Sequence, residues 1–504
     1  MSGEWSRGDP PGGSQANYPE STTAKNISRR DFTRAALGSA IALSTNFALP
    51  ASDDFPRSQP PKRTKPASKK LAVVTTAYHY LSHAYHICGR FLDGYLRGSK
   101  FHFPDWQIAG MYVAQQKEND LSREMAKKHG FTIYPRVGDA LTLGGEKLAV
   151  DGVLLIGEHG DYPYNAKGQK LYPRHELFQQ IVEVFRKSGR HAPVFCDKHL
   201  SYSWEKAKEM VALARQIGFP LMAGSSLPVT WRRPELELPL ETPITEALVA
   251  SRGELEIYGI HALEALQCMV ERRRGGSPLT PDPSPPRGEG KTGPASPAKG
   301  EGKHVQGVKA VTCLAGDAVW KAGDAGVWSW ELLEHALGRS DSLNVGDIRD
   351  NCRHYTPPGT QHRPFALSPV AFVVEYRDGL KATALLLGGH VDDTTFAARI
   401  PHAALSPKGR GVDTGIVSTL FFLPPPPGAS FLQALAMRIE DFLATGKPPY
   451  PVERTLLTGG ILDFALESRV RNHQRLETPD LDVCYDPPAD SGFVHGDWRQ
   501  PAGN

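Results

Sequence analysis

Between residues 70 and 225, short apolar, β-branched runs alternate with amphipathic segments of helical spacing. The runs cover residues 70–76, 106–113, 132–134, 152–156, 193–196 and 220–224. The helical segments begin near Ser82 and then cover 120–129, 137–143, 174–188 and 203–218. A strand with no polar alternation has to be buried on both faces, and helices between such strands supply the cover. The pattern therefore predicts an α/β, doubly wound parallel sheet, whose ligands lie at the C-terminal ends of its strands.

The second half of the chain is different. One helical stretch, 261–274, is followed by longer strand-like stretches at 308–314, 371–376, 381–387 and 416–422. These predict a C-terminal α+β domain with a largely antiparallel sheet, closed by helical segments at 431–445 and 454–473. The domain expectations are 70–225 for the first unit and 226–480 for the second, with 481–504 as a tail. Residues 275–303 are rich in Pro, Gly, Ser and Lys and repeat a Ser-Pro-x-x-Gly-Glu-Gly pattern from Ser284 and Ser296. They read as a low-complexity surface insert with too few apolar residues to fold alone.

The N-terminal region carries Ser28-Arg29-Arg30-Asp31-Phe32, then an apolar segment, 35–51, rich in Ala, Ser and Thr. That segment is too short for a convincing membrane span, and paired arginines ahead of it read as a twin-arginine export signal over residues 1–51. Residues 52–69 read as a linker. The expected address is periplasmic or extracytoplasmic, with no stable span in the mature chain. Such substrates cross the membrane folded, so a cofactor loaded beforehand is compatible with this address. A net charge of +3, with acids and bases interspersed, gives no nucleic-acid footprint. The six cysteines contain no C-x-x-C pair and form neither a disulfide framework nor a zinc set.

The chemistry concentrates in Val194-Phe-Cys-Asp-Lys-His-Leu-Ser-Tyr-Ser-Trp-Glu, where a buried strand ends in Asp197-Lys198-His199 and a Ser-capped helix follows. Further on come Tyr258-Gly-Ile-His261-Ala-Leu-Glu264 and Phe442-Leu-Ala-Thr-Gly-Lys-Pro-Pro-Tyr-Pro-Val452. In these three places, and in this order, the chain resembles the Gfo/Idh/MocA oxidoreductases, the family of glucose-fructose oxidoreductase and inositol dehydrogenase. The resemblance implies a Rossmann-like first domain, NAD or NADP as cofactor, and a carbohydrate or polyol as the small-molecule substrate. It implies Lys198 as the catalytic lysine and His261 as its acid/base partner. On residues alone, a surface lysine and a packed helix-start histidine fit equally well. A homo-oligomer is compatible with all of this.

The departures are as informative. Where the family has G-x-G-x-x-G, this chain has Thr75-Thr-Ala-Tyr-His-Tyr-Leu-Ser82, without a glycine. After the second run stand Gln115 and Gln116 instead of an acid for the ribose. The expected cofactor contacts are therefore Thr75, Thr76 and Ser82 as hydroxyl donors, with Glu158, His159, Asp197 and Lys198 on the nicotinamide side. The departures also leave room for a dinucleotide-free sugar lyase, hydrolase or binding protein on the same fold. His79, His83, His86, His159 and His199 fall near strand ends, which raises a metal site; ordinary polar-face histidines account for them better, and no metal ligand is assigned.

Replacing Arg29 and Arg30 together by Lys keeps the charge but removes the pair that the export receptor reads. The doubly substituted protein should stay in the cytoplasm on cell fractionation. Unchanged export would remove the twin-arginine assignment.

Overall fold

The computed structural model describes residues 61, 63–97, 100–253, 255–274, 306–355, 368–401, 415–424 and 431–496. The export signal and the whole of the insert lie outside them. Six strands form the first sheet: β1 (Lys69–Thr75), β2 (Trp106–Val113), β3 (Thr132–Ile133), β4 (Gly152–Ile156), β5 (Val194–Asp197) and β6 (Leu221–Gly224). Their order is β3-β2-β1-β4-β5-β6, and every pairing is parallel. This is the doubly wound arrangement, with its order reversing between β1 and β4. All five residues of β4 are buried, as a central strand with helices on both faces requires.

Local chemistry sets the helices that connect these strands: α1 (His83–Asp93), α2 (Ser122–His129), α3 (Val137–Thr142), α4 (Arg174–Ser188) and α5 (Trp204–Ile217). Ser82 caps α1 by accepting the Tyr85 amide, and Ser203 caps α5 by accepting the Lys206 amide. The α1 face follows the expected apolar positions, with one exception. His86, expected on the polar face, is 1% exposed and packs edge-on against Phe431 at 4.7 Å.

The second sheet holds β7 (Trp231–Arg233), β8 (Glu246–Ser251), β9 (Val308–Ala315), β10 (Val370–Tyr376), β11 (Lys381–Leu386), β12 (Thr394–Arg399), β13 (Ile416–Phe422) and β14 (Leu476–Glu477). Its order is β14-β9-β10-β11-β8-β12-β13-β7, antiparallel except for β8 beside β11. The strands β7, β8, β12 and β14 were not anticipated. β8 (Glu-Ala-Leu-Val-Ala-Ser) and β12 (Thr-Thr-Phe-Ala-Ala-Arg) are central, each with two alanines and no polar alternation to mark it.

On this sheet lie α6 (Gly259–Val270), α7 (Asp317–Asp324), α8 (Trp330–Leu337) and α9 (Ile348–Arg353); α10 (Gln433–Thr445) and α11 (Val452–Val470) complete the chain. Helix α11 packs against α5 and β6 of the first unit and against α6 and β9 of the second. One apolar cluster consequently runs from Cys196 and Trp204 through Leu457 and Ile461 to Leu263 and Phe372. The C-terminal segment is no free tail. Leu481, Val483, Tyr485 and Phe493 are buried, and Tyr485 donates its hydroxyl to Glu271 at 2.7 Å.

At this joint Arg454 and Glu271 form a fully buried, two-pronged ion pair, with Arg454 Nε donating to Glu271 at 2.8 Å. Removing one member leaves the other charged in an apolar site, which costs more than the pair itself contributes. Arg454→Met should lower unfolding stability by about 3–5 kcal/mol, read from urea denaturation. A loss below about 1 kcal/mol would show that the joint relaxes around the stranded carboxylate.

Candidate active site

The C-terminal ends of β4, β5 and β6, the first turn of α1 and the start of α6 converge on one group of polar side chains. Glu158 follows β4 and is 5% exposed. Arg174, the first residue of α4, donates to its Oε2 at 2.5 Å, and Lys198 Nζ, just beyond β5, lies 3.3 Å from its Oε1. Gly157 makes this possible, since a Cβ there would meet Arg174 Cγ at 2.5 Å. Burial would push the Glu158 carboxyl up, but the charges of Lys198 and Arg174 outweigh it and hold the group well below the usual carboxylate range.

Lys198 also donates to the Ile257 carbonyl at 3.3 Å, in the segment leading into α6. The lysine thus bridges the two units of the fold. His261 enters from α6, and its Nδ1 hydrogen-bonds Ser225 Oγ just past β6. Ser225 is fixed in turn, its amide donating to Glu264 at 2.5 Å and its Oγ accepting the Leu227 amide at 3.2 Å. Burial, then the charges of Lys198 and His83, hold His261 well below the ordinary histidine range, so it is neutral near pH 7. Gly224, at φ 135°, lets this corner close, because a Cβ there would meet Tyr450, Thr455 and Glu264 within 3 Å.

Three expected hydroxyl donors are already committed. Thr75 Oγ1 donates to the Ile156 carbonyl at 2.9 Å, and Thr76 Oγ1 donates to the Glu158 carbonyl at 2.7 Å. Ser82 Oγ accepts the His79 and Tyr85 amides, and all three residues are 0% exposed. They build the β1 turn, with their hydroxyls spent on backbone groups and not turned toward the cleft. Asp197 is 1% exposed and lies 2.7 Å from His83 Nδ1. His159 adopts φ 70° and meets the rings of His79 and His83 edge-on at 5.1 and 5.5 Å. Burial, then the charge of His83, lowers it to about 3. Among the described residues no three His, Cys, Asp or Glu side chains gather in a metal-holding arrangement.

The sequence did not single out Arg174, Ser225 or Glu256 as site groups. Arg174 had one signal, an arginine in the first turn of a helix, where the macrodipole disfavours a cation unless a carboxylate holds it. The Ser225 role had none.

A second cleft, of about 210 Å³, opens between the turns after β1, β2 and β4 and is lined by Tyr78, His79, Gln115, Lys117, Asp120 and Asp161 among others. Gln115 crosses its mouth, donating to the Asp161 carbonyl at 3.1 Å and accepting the Asp161 amide at 2.8 Å. Lys117 pairs with the Asp161 side chain. A dinucleotide spanning this edge meets no glycine cradle for its pyrophosphate. The Lys117–Asp161 pair is exposed and contributes little, so it yields readily to a ligand. The residues beyond β1 do not form the usual phosphate turn.

No family profile matches the sequence, and the comparison with curated proteins finds no match. Solved structures of similar outline include GenD2 from gentamicin A biosynthesis, in complex with NAD, at 12% identity, covering 82% of this chain and 98% of that one, with a TM-score of 0.46. A second is myo-inositol dehydrogenase from Lactobacillus casei with NAD(H) and myo-inositol, at 10% identity, 81% and 96% coverage and TM-score 0.42. A third is biliverdin reductase from Synechocystis with biliverdin and NADP+, at 12% identity, 79% and 98% coverage and TM-score 0.40.

Glu256 lies beside this cluster, 7% exposed, with its carboxylate 4.0 Å from His199. Burial, then the charge of Glu158, raises it from 4.5 to about 7, against the pull of Arg174 and Lys198. A group raised on folding contributes fully below its unfolded value of 4.5 and loses that contribution as pH rises through about 7. Glu256→Gln should therefore stabilise the protein at about pH 8.5 relative to its effect at about pH 4.5, by on the order of 3 kcal/mol. Urea denaturation at the two pH values checks this; an equal effect at both would place Glu256 outside the coupled cluster. By strand order and sheet composition, the chain has a doubly wound parallel sheet joined to an α+β domain with a mostly antiparallel sheet.

Proposed function

We propose that the protein is an NAD(P)-dependent oxidoreductase acting on a carbohydrate or polyol, exported through the twin-arginine pathway. The observation that carries this reading is Lys198, set just beyond β5 on the sheet's C-terminal edge and clamped between Glu158 and the Ile257 carbonyl, with His261 brought to the same cluster from the second unit. A bound nicotinamide supplies a hydride acceptor or donor. The chain's own residues do the rest. Glu158 and Ile257 occupy two of the three Lys198 donor positions, which leaves one to orient a substrate hydroxyl. His261, neutral near pH 7 and held at Nδ1 by Ser225, exchanges the hydroxyl proton through Nε2. Burial of Lys198 keeps water from competing with the substrate for its hydrogen bonds.

The resemblance in sequence to the Gfo/Idh/MocA oxidoreductases supports the same cofactor and substrate class. The glycine-free β1 turn supports the rival, a sugar lyase, hydrolase or binding protein without a dinucleotide.

Calorimetric titration of the purified protein with NAD and NADP separates the two. Binding of either at millimolar concentration or below is expected. Lys198→Met should abolish turnover on the polyol substrate while changing dinucleotide affinity by no more than a few fold. His261→Ala should lower turnover by roughly a hundredfold, the usual scale for losing an acid/base group. If neither dinucleotide binds and none copurifies, the oxidoreductase reading falls and the rival replaces it.

A further inference from the structure

The carboxylates of the cluster each face a cation or a histidine. Glu158 holds Arg174 and Lys198, Asp197 lies against His83, and Glu256 is 4.0 Å from His199. One cation beside them has no such answer. Arg252 directly follows β8 and is partly exposed. Among the described residues no carboxylate lies within ion-pair distance of it, and nothing accepts a hydrogen bond from it. Its guanidinium lies instead over the ring of Tyr258, with Cζ 4.9 Å from the centroid.

We propose that Arg252 is a specificity residue that receives a carboxylate on the substrate, so that the site takes an acidic sugar or polyol in preference to a neutral one. The proposal rests on the oxidoreductase reading for the reaction, but not for the binding.

One ring joins Arg252 to the reacting end of the site. Tyr258 is the residue before α6, and its ring centroid lies 6.2 Å from that of His261. The carbonyl of the residue before it, Ile257, accepts from Lys198 at 3.3 Å. Lys198, His261 and Arg252 thus gather around residues 257 and 258. Two ring contacts separate His261 from the guanidinium, a span that a hydroxyl and a carboxylate on one hexose-sized molecule can bridge. Arg252, Tyr258 and His261 each keep exposed surface for a ligand. The charge of Arg252 also acts on His261, after burial and the charges of Lys198 and His83.

The arginine is placed in advance. Ser251 ends β8 with its carbonyl accepting the Leu387 amide at 2.7 Å and its hydroxyl 2.8 Å from that of Thr394, which fixes the backbone entering Arg252. Gly253 follows at φ 101°, and a Cβ there would meet Tyr258 Cγ and Cδ2 at 2.3 Å. The tyrosine ring is therefore seated on bare backbone, and the guanidinium rests on the ring. A cation–π contact of this kind holds the plane of the guanidinium and leaves its N–H groups free. Their planar fork matches the two oxygens of a carboxylate, which a neutral hydroxyl cannot do.

Calorimetric titration of the full protein with D-glucose against D-glucuronate, and with D-galactose against D-galacturonate, isolates the carboxylate, because the members of each pair differ only at C6. At least one uronate should bind roughly tenfold or more tightly than its neutral partner, the scale of one hydrogen-bonded charge pair. Arg252→Gln should abolish the difference within the pair, with Arg252→Met as the substitute if that variant does not fold. Arg252→Lys, which keeps the charge but not the fork, should retain part of it. Glu254→Gln removes the acid two residues on, which lies outside the described residues, and should leave the preference in place. Equal affinities within both pairs, binding of neither uronate, loss of the preference in Glu254→Gln, or a preference that survives Arg252→Gln overturns the proposal and leaves Arg252 as a cover for Tyr258. If neither dinucleotide binds while the Arg252-dependent preference holds, the oxidoreductase reading falls and the acid site stands. A dinucleotide that binds to a protein indifferent to the carboxylate sinks the acid site alone.

Discussion

A carboxylate buried at the end of a central strand is tolerable only if cations share it, and Glu158 has two, from different elements. Arg174 reaches it from the start of α4, and Lys198 reaches it from the end of β5. The arrangement fixes three loops at once: the β4 turn, the α4 entry and the β5 turn. It also sets the field for its surroundings. Burial raises Glu256 and the charge of Glu158 adds to it, while burial and then the nearby cations hold His199 and His261 neutral.

The second constraint is mechanical. Helix α11 lies between the two sheets, and its Thr455 Oγ1 lies 2.9 Å from the Ala223 carbonyl and 2.7 Å from Glu264 Oε1, with its one proton to give to either. Glu264 holds Ser225, and Ser225 holds His261. The orientation of a side chain from the second unit is thereby tied to the last strand of the first. The Arg454–Glu271 pair, between the residue before Thr455 on α11 and the C-terminal cap of α6, keeps these helices in register. A site assembled from two units needs such a joint, since a small shift between them would separate His261 from Lys198.

The turn after β1 has followed another course. A glycine turn brings backbone amides close to a pyrophosphate; here Tyr78 is wholly buried, Leu81 takes φ 63°, and the turn is packed by its own side chains. Thr75 and Thr76 stitch β1 to β4, so this edge is stiff without a ligand. In place of a phosphate site the start of α1 presents His83, coupled to Asp197 across the sheet end.

Hydrophobic periodicity by itself determined the parallel sheet, the helices around it and the antiparallel character of the second unit. These depend on local spacing: strands such as 106–113 and 152–156 and the helix 174–188 have boundaries that the pattern marks directly. The order along the chain also placed Lys198 at a strand end and His261 at a helix start. What it could not determine is which side chains meet. Thr75 and Thr76 read as free donors until the β1–β4 pairing brings backbone carbonyls to them, and His86 reads as polar-face until Phe431 covers it. Arg174 and Glu158 are 16 residues apart, His83 and Asp197 are 114 apart, and Ser225 and His261 are 36 apart. Contacts at such separations follow from strand order and helix packing, so only the tertiary structure decided them.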